Sequence, residues 1–129
     1  MNAQSYTVLY VDDEPVNLEL FKATFRNDFN ILIASGGEEA LQLMKENPVD
    51  VLISDWKMPK MNGMELIERI KKTDPGKICI LLTAFSDPEV MIRATNEGHV
   101  FRYMLKPWLR SDMKMVLSDA FNLIEQKAS

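Results

Sequence analysis

The chain has 129 residues, 47% of them hydrophobic and 26% charged, with a formal net charge of −4. This length suits one domain with its own core. No apolar run approaches the roughly 18 residues of a membrane span, and residues 1–5 lack the charged start of a signal peptide. The acidic balance argues against direct nucleic-acid binding, and the single cysteine, Cys79, suits a reducing compartment. We therefore expect a cytoplasmic protein that binds neither membrane nor nucleic acid.

The beginning of the chain predicts a strand, a helix and a second strand. Thr7–Val11 is a β-rich run that ends in acids, and Pro15 then suits the first turn of a helix that ends near Asn27. Asn30–Ala34 is the next strand. The inward-facing positions of the helix are predicted to be Val16, Leu20 and Ala23, with Phe21 and Phe25 as further candidates.

The middle of the chain predicts two helices on either side of a buried strand. Ser35 and Glu38 have the spacing of a capping box, which would open a helix that runs through Glu46. Residues 49–55 are almost continuously apolar, as in a strand buried on both faces of a parallel sheet. A helix over residues 63–72 follows, and its apolar face consists of Leu66, Ile67 and Ile70.

The last third predicts two strands and two helices. Residues 78–82 and 101–105 are short apolar runs typical of strands. Between them a helix is expected over residues 87–98, because Asp suits a helix cap and the following Pro suits the first turn. Ser111 is expected to cap the last helix. The apolar stripe of that helix consists of Met113, Val116, Leu117, Ala120, Phe121 and Ile124.

Five strands therefore alternate with five helices across short connections. This alternation predicts a doubly wound α/β domain with one five-stranded parallel sheet. Because no linker, repeat or low-complexity segment interrupts it, residues 1–129 are expected to form a single domain with a core from about residue 7 to 124.

Polar side chains follow four of the strands at the point where each ends: Asp12 and Asp13, Asp55, Thr83 and Lys106. In a parallel sheet these ends meet, and ligands bind there. Three neighbouring carboxylates repel unless a cation joins them, and hard oxygen ligands suit Mg²⁺. A metal, an ammonium and a hydroxyl together suit phosphoryl oxygens, with Asp55 as the nucleophile. The plainer interpretation is that Asp55 only caps a loop.

With these residues the sequence resembles the receiver domain of bacterial two-component response regulators, a family that includes chemotaxis regulators. The shared pattern runs Asp12-Asp13, Asp55-x-x-Met58-Pro59-x-x-Asn62-Gly63, Thr83-Ala84 and Tyr103-x-x-Lys106-Pro107. The resemblance covers about residues 7–124. It implies a flavodoxin-like fold and a phosphorylation switch, not an enzyme that acts on outside substrates.

The resemblance also implies a phosphoacceptor and a metal site. Asp55 would accept a phosphoryl group from a sensor histidine kinase or a phosphotransfer protein. Asp13, Asp55 and the backbone carbonyl of Lys57 would bind Mg²⁺ directly, and Asp12 would act largely through water. Apart from its own phosphorylation and slow autodephosphorylation, the domain would catalyse nothing.

The resemblance further implies a switch. Thr83 and Lys106 would grip the phosphoryl oxygens, and Tyr103 would swing inward as the threonine moves. The surface of the fourth predicted helix, the fifth strand and the fifth predicted helix would report the change. Its partner would be a C-terminal output domain, a downstream protein or a second copy of the chain.

Two other functions share part of this pattern. A Mg²⁺-dependent phosphohydrolase of the haloacid-dehalogenase kind also uses a strand-end aspartate, but it needs an acid two residues later, where this chain has Lys57. A pure interaction module that has lost phosphorylation would not need the full set of acids, threonine and lysine. Trp108 has two interpretations: with Arg102 it marks a docking or dimer surface, or its ring is buried.

Overall fold

The computed structural model describes residues 5–84 and 99–128. Within them the chain forms five strands and four helices, and the predicted helix over residues 87–98 lies outside the described residues. The elements are β1 (Thr7–Val11), α1 (Pro15–Phe25), β2 (Asn30–Ala34), α2 (Gly37–Glu46), β3 (Val51–Asp55), α3 (Gly63–Thr73), β4 (Ile78–Ala84), β5 (Arg102–Lys106) and a C-terminal helix (Arg110–Ala128).

All four strand pairings are parallel, and the order across the sheet is β2-β1-β3-β4-β5. This is the flavodoxin-like order of a doubly wound sheet, in which the chain reverses direction beside β1. The predicted fold class is therefore confirmed. None of the helices in the described ranges combines the length and the apolar character that a membrane crossing needs.

Helices pack on both faces of the sheet, and the two apolar layers differ in composition. The face that carries α1 and the C-terminal helix is rich in aromatic rings, and we call it the aromatic layer. The opposite face packs aliphatic side chains against α2 and α3. Successive side chains of β1 point to opposite faces of the sheet, so Tyr10 lies in the aromatic layer while Leu9 and Val11 lie in the aliphatic one. The rings of the aromatic layer are Tyr6, Tyr10, Phe21, Phe25, Phe29, Trp108 and Phe121.

The predicted inward face of α1 was wrong at its three main positions, whereas the two further candidates, Phe21 and Phe25, are confirmed. Leu18, Phe21 and Phe25 are buried, whereas Val16 and Leu20 are 76% and 56% exposed and Ala23 is exposed as well. The helix carries two apolar stripes, and only one can face the sheet. The stripe with two phenylalanines faces it because aromatic rings bury the largest apolar area.

Two helix starts also differ from the prediction. The first helical residue of α2 is Gly37, preceded by Gly36 as the cap residue without a side-chain cap, and the backbone N–H of Ser35 donates instead to Glu39. The C-terminal helix begins at Arg110, so Ser111 lies inside its first turn and is not the cap. In both places the helix begins one or two residues from the residue with the best capping side chain.

A capping box does occur at α3. The Asn62 side chain accepts a hydrogen bond from the Glu65 N–H at 2.9 Å, and the Glu65 carboxylate accepts one from the Asn62 N–H at 3.1 Å. The predicted apolar stripes of α3 and of the C-terminal helix face the core as expected. Strand β4 runs two residues further than predicted, which places Thr83 inside the strand.

Candidate functional site

The site lies at the carboxyl end of the sheet, the end at which all five parallel strands finish. Asp12 directly follows β1, Asp55 is the last residue of β3, Thr83 is the next-to-last residue of β4 and Lys106 is the last of β5. Asp12 and Thr83 are completely buried, and Asp55 is 7% exposed. Buried charged groups are rare unless they are paired or bind a ligand, so this end of the sheet is built for more than packing.

The three acids lie together. Carboxylate oxygens of Asp12, Asp13 and Asp55 are all within 4.8 Å of one another, with Asp13 exposed at the mouth of the site. Three negative charges at this spacing repel, and a divalent cation between them removes the repulsion. Carboxylate oxygens with room for water suit Mg²⁺, which prefers a few acidic ligands and a partly hydrated shell. The residues present therefore fit a magnesium ion.

The ammonium group of Lys106 faces this cluster. Lys106 Nζ lies 3.1 Å from Asp55 Oδ2 and 3.5 Å from Asp12 Oδ2. The largest single influence on the pKa of Lys106 is its partial burial, which lowers the pKa. The hydrogen bonds and charges of Asp55 and Asp12 together outweigh burial, so the net pKa lies above the usual lysine value. Lys106 is therefore a fixed positive charge beside the central acid.

Asp55 is held under opposing influences. Burial raises the pKa of its carboxyl above the ordinary value, and the charge of Asp12 adds to the rise. The hydrogen bond and the charge of Lys106 lower it in part. The carboxylate is thus kept poorly solvated and oriented by Lys106 and the backbone of Trp56, which suits a nucleophile that attacks from a defined direction.

The backbone below Asp55 depends on a close approach of two chain segments. The N–H of Trp56 donates to the carbonyl of Leu82 at 2.8 Å, and the N–H of Gly63 donates to the carbonyl of Trp56 at 2.9 Å. A Cβ atom on Gly63 would lie 2.3 Å from the carbonyl oxygen of Asp55. Only glycine fits here, and this explains the Asn62-Gly63 pair in the sequence pattern.

Asn17 and Glu14 also belong to the site, although neither is part of the strand-end pattern in the sequence. The Asn17 side-chain nitrogen Nδ2 donates to Asp12 Oδ2 at 3.0 Å, and the backbone N–H of Glu14 donates to Asp12 Oδ1 at 2.9 Å. The available signal was the position of Asn17 in the first turn of α1, four residues after Asp13. The spacing of apolar residues does not identify a polar residue such as Asn17.

The other predicted residues lie around this centre. Lys57 is exposed and lines a cavity of about 250 Å³ together with Asp13, Asp55 and Lys106. The Thr83 hydroxyl donates to the carbonyl of Ala84 at 3.3 Å. Tyr103 is 41% exposed on β5, so its ring lies at the surface and not inward. The structure brings the acids and Lys106 together and leaves Tyr103 outside the cluster.

Trp108 is half-buried and its ring packs against the core, which agrees better with the buried-ring interpretation. Its indole Nε1 donates to the Tyr10 hydroxyl at 3.1 Å, and its ring centroid lies 5.9 Å from those of Phe21 and Phe25. Trp108 thus belongs to the aromatic layer, directly beyond the lysine of the site. Arg102, by contrast, is exposed, where it pairs with Asp119 at 3.5 Å.

Comparisons with known proteins agree with this geometry. A family model described as the response regulator receiver domain matches residues 8–118. The chain belongs to the receiver domain family of response regulators. A solved receiver domain from Clostridium thermocellum superposes with a TM-score of 0.88 at 34% identity, covering 94% of this chain and 98% of that one.

Two further relatives indicate the setting of such domains. The signal receiver domain of an HD domain-containing protein from Pseudomonas fluorescens Pf-5 has a TM-score of 0.86 at 31% identity, covering 98% of this chain and 100% of that one. The transcriptional regulatory protein GlrR of Escherichia coli is 34% identical over 122 residues, which are 94% of this chain and 27% of that protein. The chain spans about a quarter of the length of the curated relatives it matches.

Receiver domains are phosphoacceptor switches of two-component systems, and this chain carries the acid cluster of such a switch. Membership therefore confirms the resemblance, the fold and the general function predicted from the sequence. The roles of individual residues remain predictions.

Proposed function

We propose that Asp55 accepts a phosphoryl group from a sensor histidine kinase or a histidine phosphotransfer protein. The observation that carries this proposal is the setting of its carboxylate, which is buried, 3.1 Å from Lys106 Nζ and within 4.8 Å of the oxygens of Asp12 and Asp13. No other carboxylate in the cluster combines the end of a central strand with the lysine contact at this distance.

The transfer needs a nucleophile, charge neutralisation and a leaving group that takes the electron pair. An oxygen of Asp55 forms the new O–P bond while the P–N bond to the donor histidine breaks, and the imidazole nitrogen leaves with the electron pair. Lys106 neutralises the charge on the phosphoryl oxygens, and Thr83 donates to one of them. Each of these groups comes from a strand end and is therefore held rigidly.

Asp13, Asp55 and the backbone carbonyl of Lys57 would hold Mg²⁺, with Asp12 acting largely through water. The bound ion would supply charge neutralisation for phosphoryl oxygens. The supporting observation is the donor set itself: three carboxylates lie within 4.8 Å of one another, and Lys106 lies beside two of them. Removal of the ion is expected to stop phosphoryl transfer.

Phosphorylation would then shift an equilibrium between two conformations. Thr83 lies on β4, the strand next to that of Asp55, and Tyr103 on β5 pairs with Leu81 of β4. A move of the threonine can therefore be followed by an inward turn of the tyrosine. The reporting surface is that of β5, the C-terminal helix and the predicted helix over residues 87–98. A C-terminal output domain, a downstream protein or a second copy would bind it.

The remaining predictions complete the proposal. Residues 1–129 would act as one receiver domain in the cytoplasm, with no membrane and no direct nucleic-acid contact of their own. Catalysis would be limited to self-phosphorylation from a donor and to slow loss of the phosphoryl group. A haloacid-dehalogenase type of hydrolysis is not favoured, because Lys57 stands where its acid is needed.

The test is phosphoryl labelling by acetyl phosphate in Mg²⁺, with intact-mass detection and release by hydroxylamine, which cleaves acyl phosphates. Wild type should gain one phosphoryl group, and Asp55→Asn should gain none because an amide is not a nucleophile here. The matched control is Asp50→Asn, the same substitution just before β3, and it should label like wild type. Labelling of Asp55→Asn at the wild-type rate would overturn the assignment.

A further inference from the structure

We propose that Asn17 is a positioning residue for the magnesium site, because it fixes the carboxylate of Asp12 independently of Lys106. This inference rests on the proposed function of the acid cluster. Asn17 lies in the first turn of α1, which begins at Pro15. Its Nδ2 donates to Asp12 Oδ2 at 3.0 Å and to Glu14 Oε2 at 3.1 Å. One amide group therefore joins a buried acid of the site, Asp12, to an exposed one, Glu14.

The lone pairs of Asp12 show why this contact matters. An ionised carboxylate has about four acceptor positions. In the completely buried Asp12, Oδ1 accepts from the Glu14 N–H at 2.9 Å, while Oδ2 accepts from Asn17 and faces Lys106 Nζ at 3.5 Å. Three of the positions are thus occupied from the protein side, and about one remains for the ion or its water. Any rotation of the carboxylate would break these contacts.

Lys106 cannot hold Asp12 through the whole reaction. Its ammonium is closer to Asp55, at 3.1 Å, than to Asp12, at 3.5 Å. When Asp55 carries a phosphoryl group, the ammonium is needed by the new oxygens. Asn17 donates from α1 to the same oxygen, Oδ2, and its hydrogen bond does not depend on the state of Asp55. Together with the N–H of Glu14, which donates to Oδ1, it keeps Asp12 oriented both before and after transfer.

The second bond of Asn17 restrains Glu14. Glu14 lines the same cavity as Asp13, Asp55 and Lys57. Because Glu14 Oε2 accepts from Asn17, this carboxylate is held on the α1 side. Loss of Asn17 therefore removes a donor from Asp12 and releases Glu14 at the same time, and both changes disturb the arrangement of acids around the ion.

The experiment is a calorimetric titration of the full chain with MgCl₂ alone. Asn17→Leu keeps the approximate shape of the side chain but removes the donor, and we expect its Mg²⁺ affinity to fall about tenfold or more, as outer-shell substitutions typically do. Asn17→Gln keeps an amide donor and should recover part of the loss. The matched control is Asn122→Leu on the exposed side of the C-terminal helix, which should bind like wild type.

Labelling by acetyl phosphate separates positioning from general damage. In Asn17→Leu the half-maximal labelling rate should require about tenfold more Mg²⁺ than in wild type, because the ion is bound less tightly. The inference is overturned if folded Asn17→Leu binds Mg²⁺ as tightly as wild type. Should Asn17→Leu not fold, Asn17→Ala serves in its place with the same two outcomes. Failure of wild type itself to bind Mg²⁺ would instead overturn the proposed function, and this inference with it.

Discussion

At the amino end of the sheet, where the strands begin, charged side chains complete the hydrogen bonds of the backbone. Asp50 accepts from the N–H of Thr7 at 2.8 Å, and Lys77 donates to the carbonyl of Val49 while it pairs with Asp74 at 3.5 Å. Each of these charged side chains has a partner within the fold, so we expect this end of the sheet to have a structural role only.

At the carboxyl end the same residue types are used differently. Three carboxylates gather there, and among the described contacts a single lysine, Lys106, pairs with Asp12 and Asp55. The chain leaves a negative excess at this end, which a cation from outside can offset. Comparison of the two ends teaches that function is visible as incomplete pairing of buried charges, and not as the mere presence of charged residues.

The sharpest way to break this comparison is to place the same substitution at each end. Gly63→Ala is expected to lower the free energy of unfolding by about 3 kcal/mol, because its Cβ would lie 2.3 Å from the backbone oxygen of Asp55 and 2.8 Å from Leu81 Cδ1. In Gly76→Ala the nearest atom, Asp74 Oδ1, is 3.8 Å away, so stability should change by less than about 0.5 kcal/mol. Urea denaturation measures both. Equal losses would show that the crowding is not confined to the site.

A second paired substitution should give effects of opposite sign. In Mg²⁺-free buffer, Asp55→Asn is expected to raise the free energy of unfolding by about 1 kcal/mol, because it removes a buried charge that faces Asp12. Asp50→Asn should lower it by about 1 kcal/mol, because a charged acceptor for the Thr7 N–H becomes a neutral one. Thermal unfolding of the three proteins tests this. The comparison fails if both variants are destabilised alike.

The elements and the convergence of acids could be predicted from sequence for a simple reason. Runs such as Thr7–Val11 are short and continuously apolar, and this is the signal of a strand buried on both faces. Once the strands are parallel, Asp12, Asp55 and Lys106 must emerge at one end whatever the details of packing. Both predictions depend on local pattern and topology alone.

Other features depend on competition between alternatives that the sequence does not rank. Val16 and Leu20 form an apolar stripe as regular as that of Phe21 and Phe25, and the area buried by the rings decides between them. The contact of Asn17 with Asp12 joins a helix to a strand end, so only the path of the intervening loop reveals it. No periodicity in the sequence predicts a contact of this kind.

The smallest expected effect is a dependence of the Asp55→Asn stability difference on pH. Burial raises the pKa of the Asp55 carboxyl, so the folded state binds its proton more readily than the unfolded state does. The ionised carboxyl therefore costs stability at neutral pH, and this cost disappears as the pH falls through the folded pKa towards the unfolded one. In Mg²⁺-free buffer the advantage of Asp55→Asn over wild type should shrink steadily as the pH is lowered from neutrality.

Lys106 does not obscure this measurement, because its pKa is raised above the usual lysine value and its stabilising charge is lost only at alkaline pH. The reference is Gly76→Ala, which changes no ionisable group and should differ from wild type by the same amount at every pH. Melting temperatures across the acid range give both differences. If the stability gained by Asp55→Asn stays constant or grows as the pH falls, the charge of Asp55 does not destabilise the folded state. The excess of acid at the carboxyl end would then be fully offset by Lys106 alone.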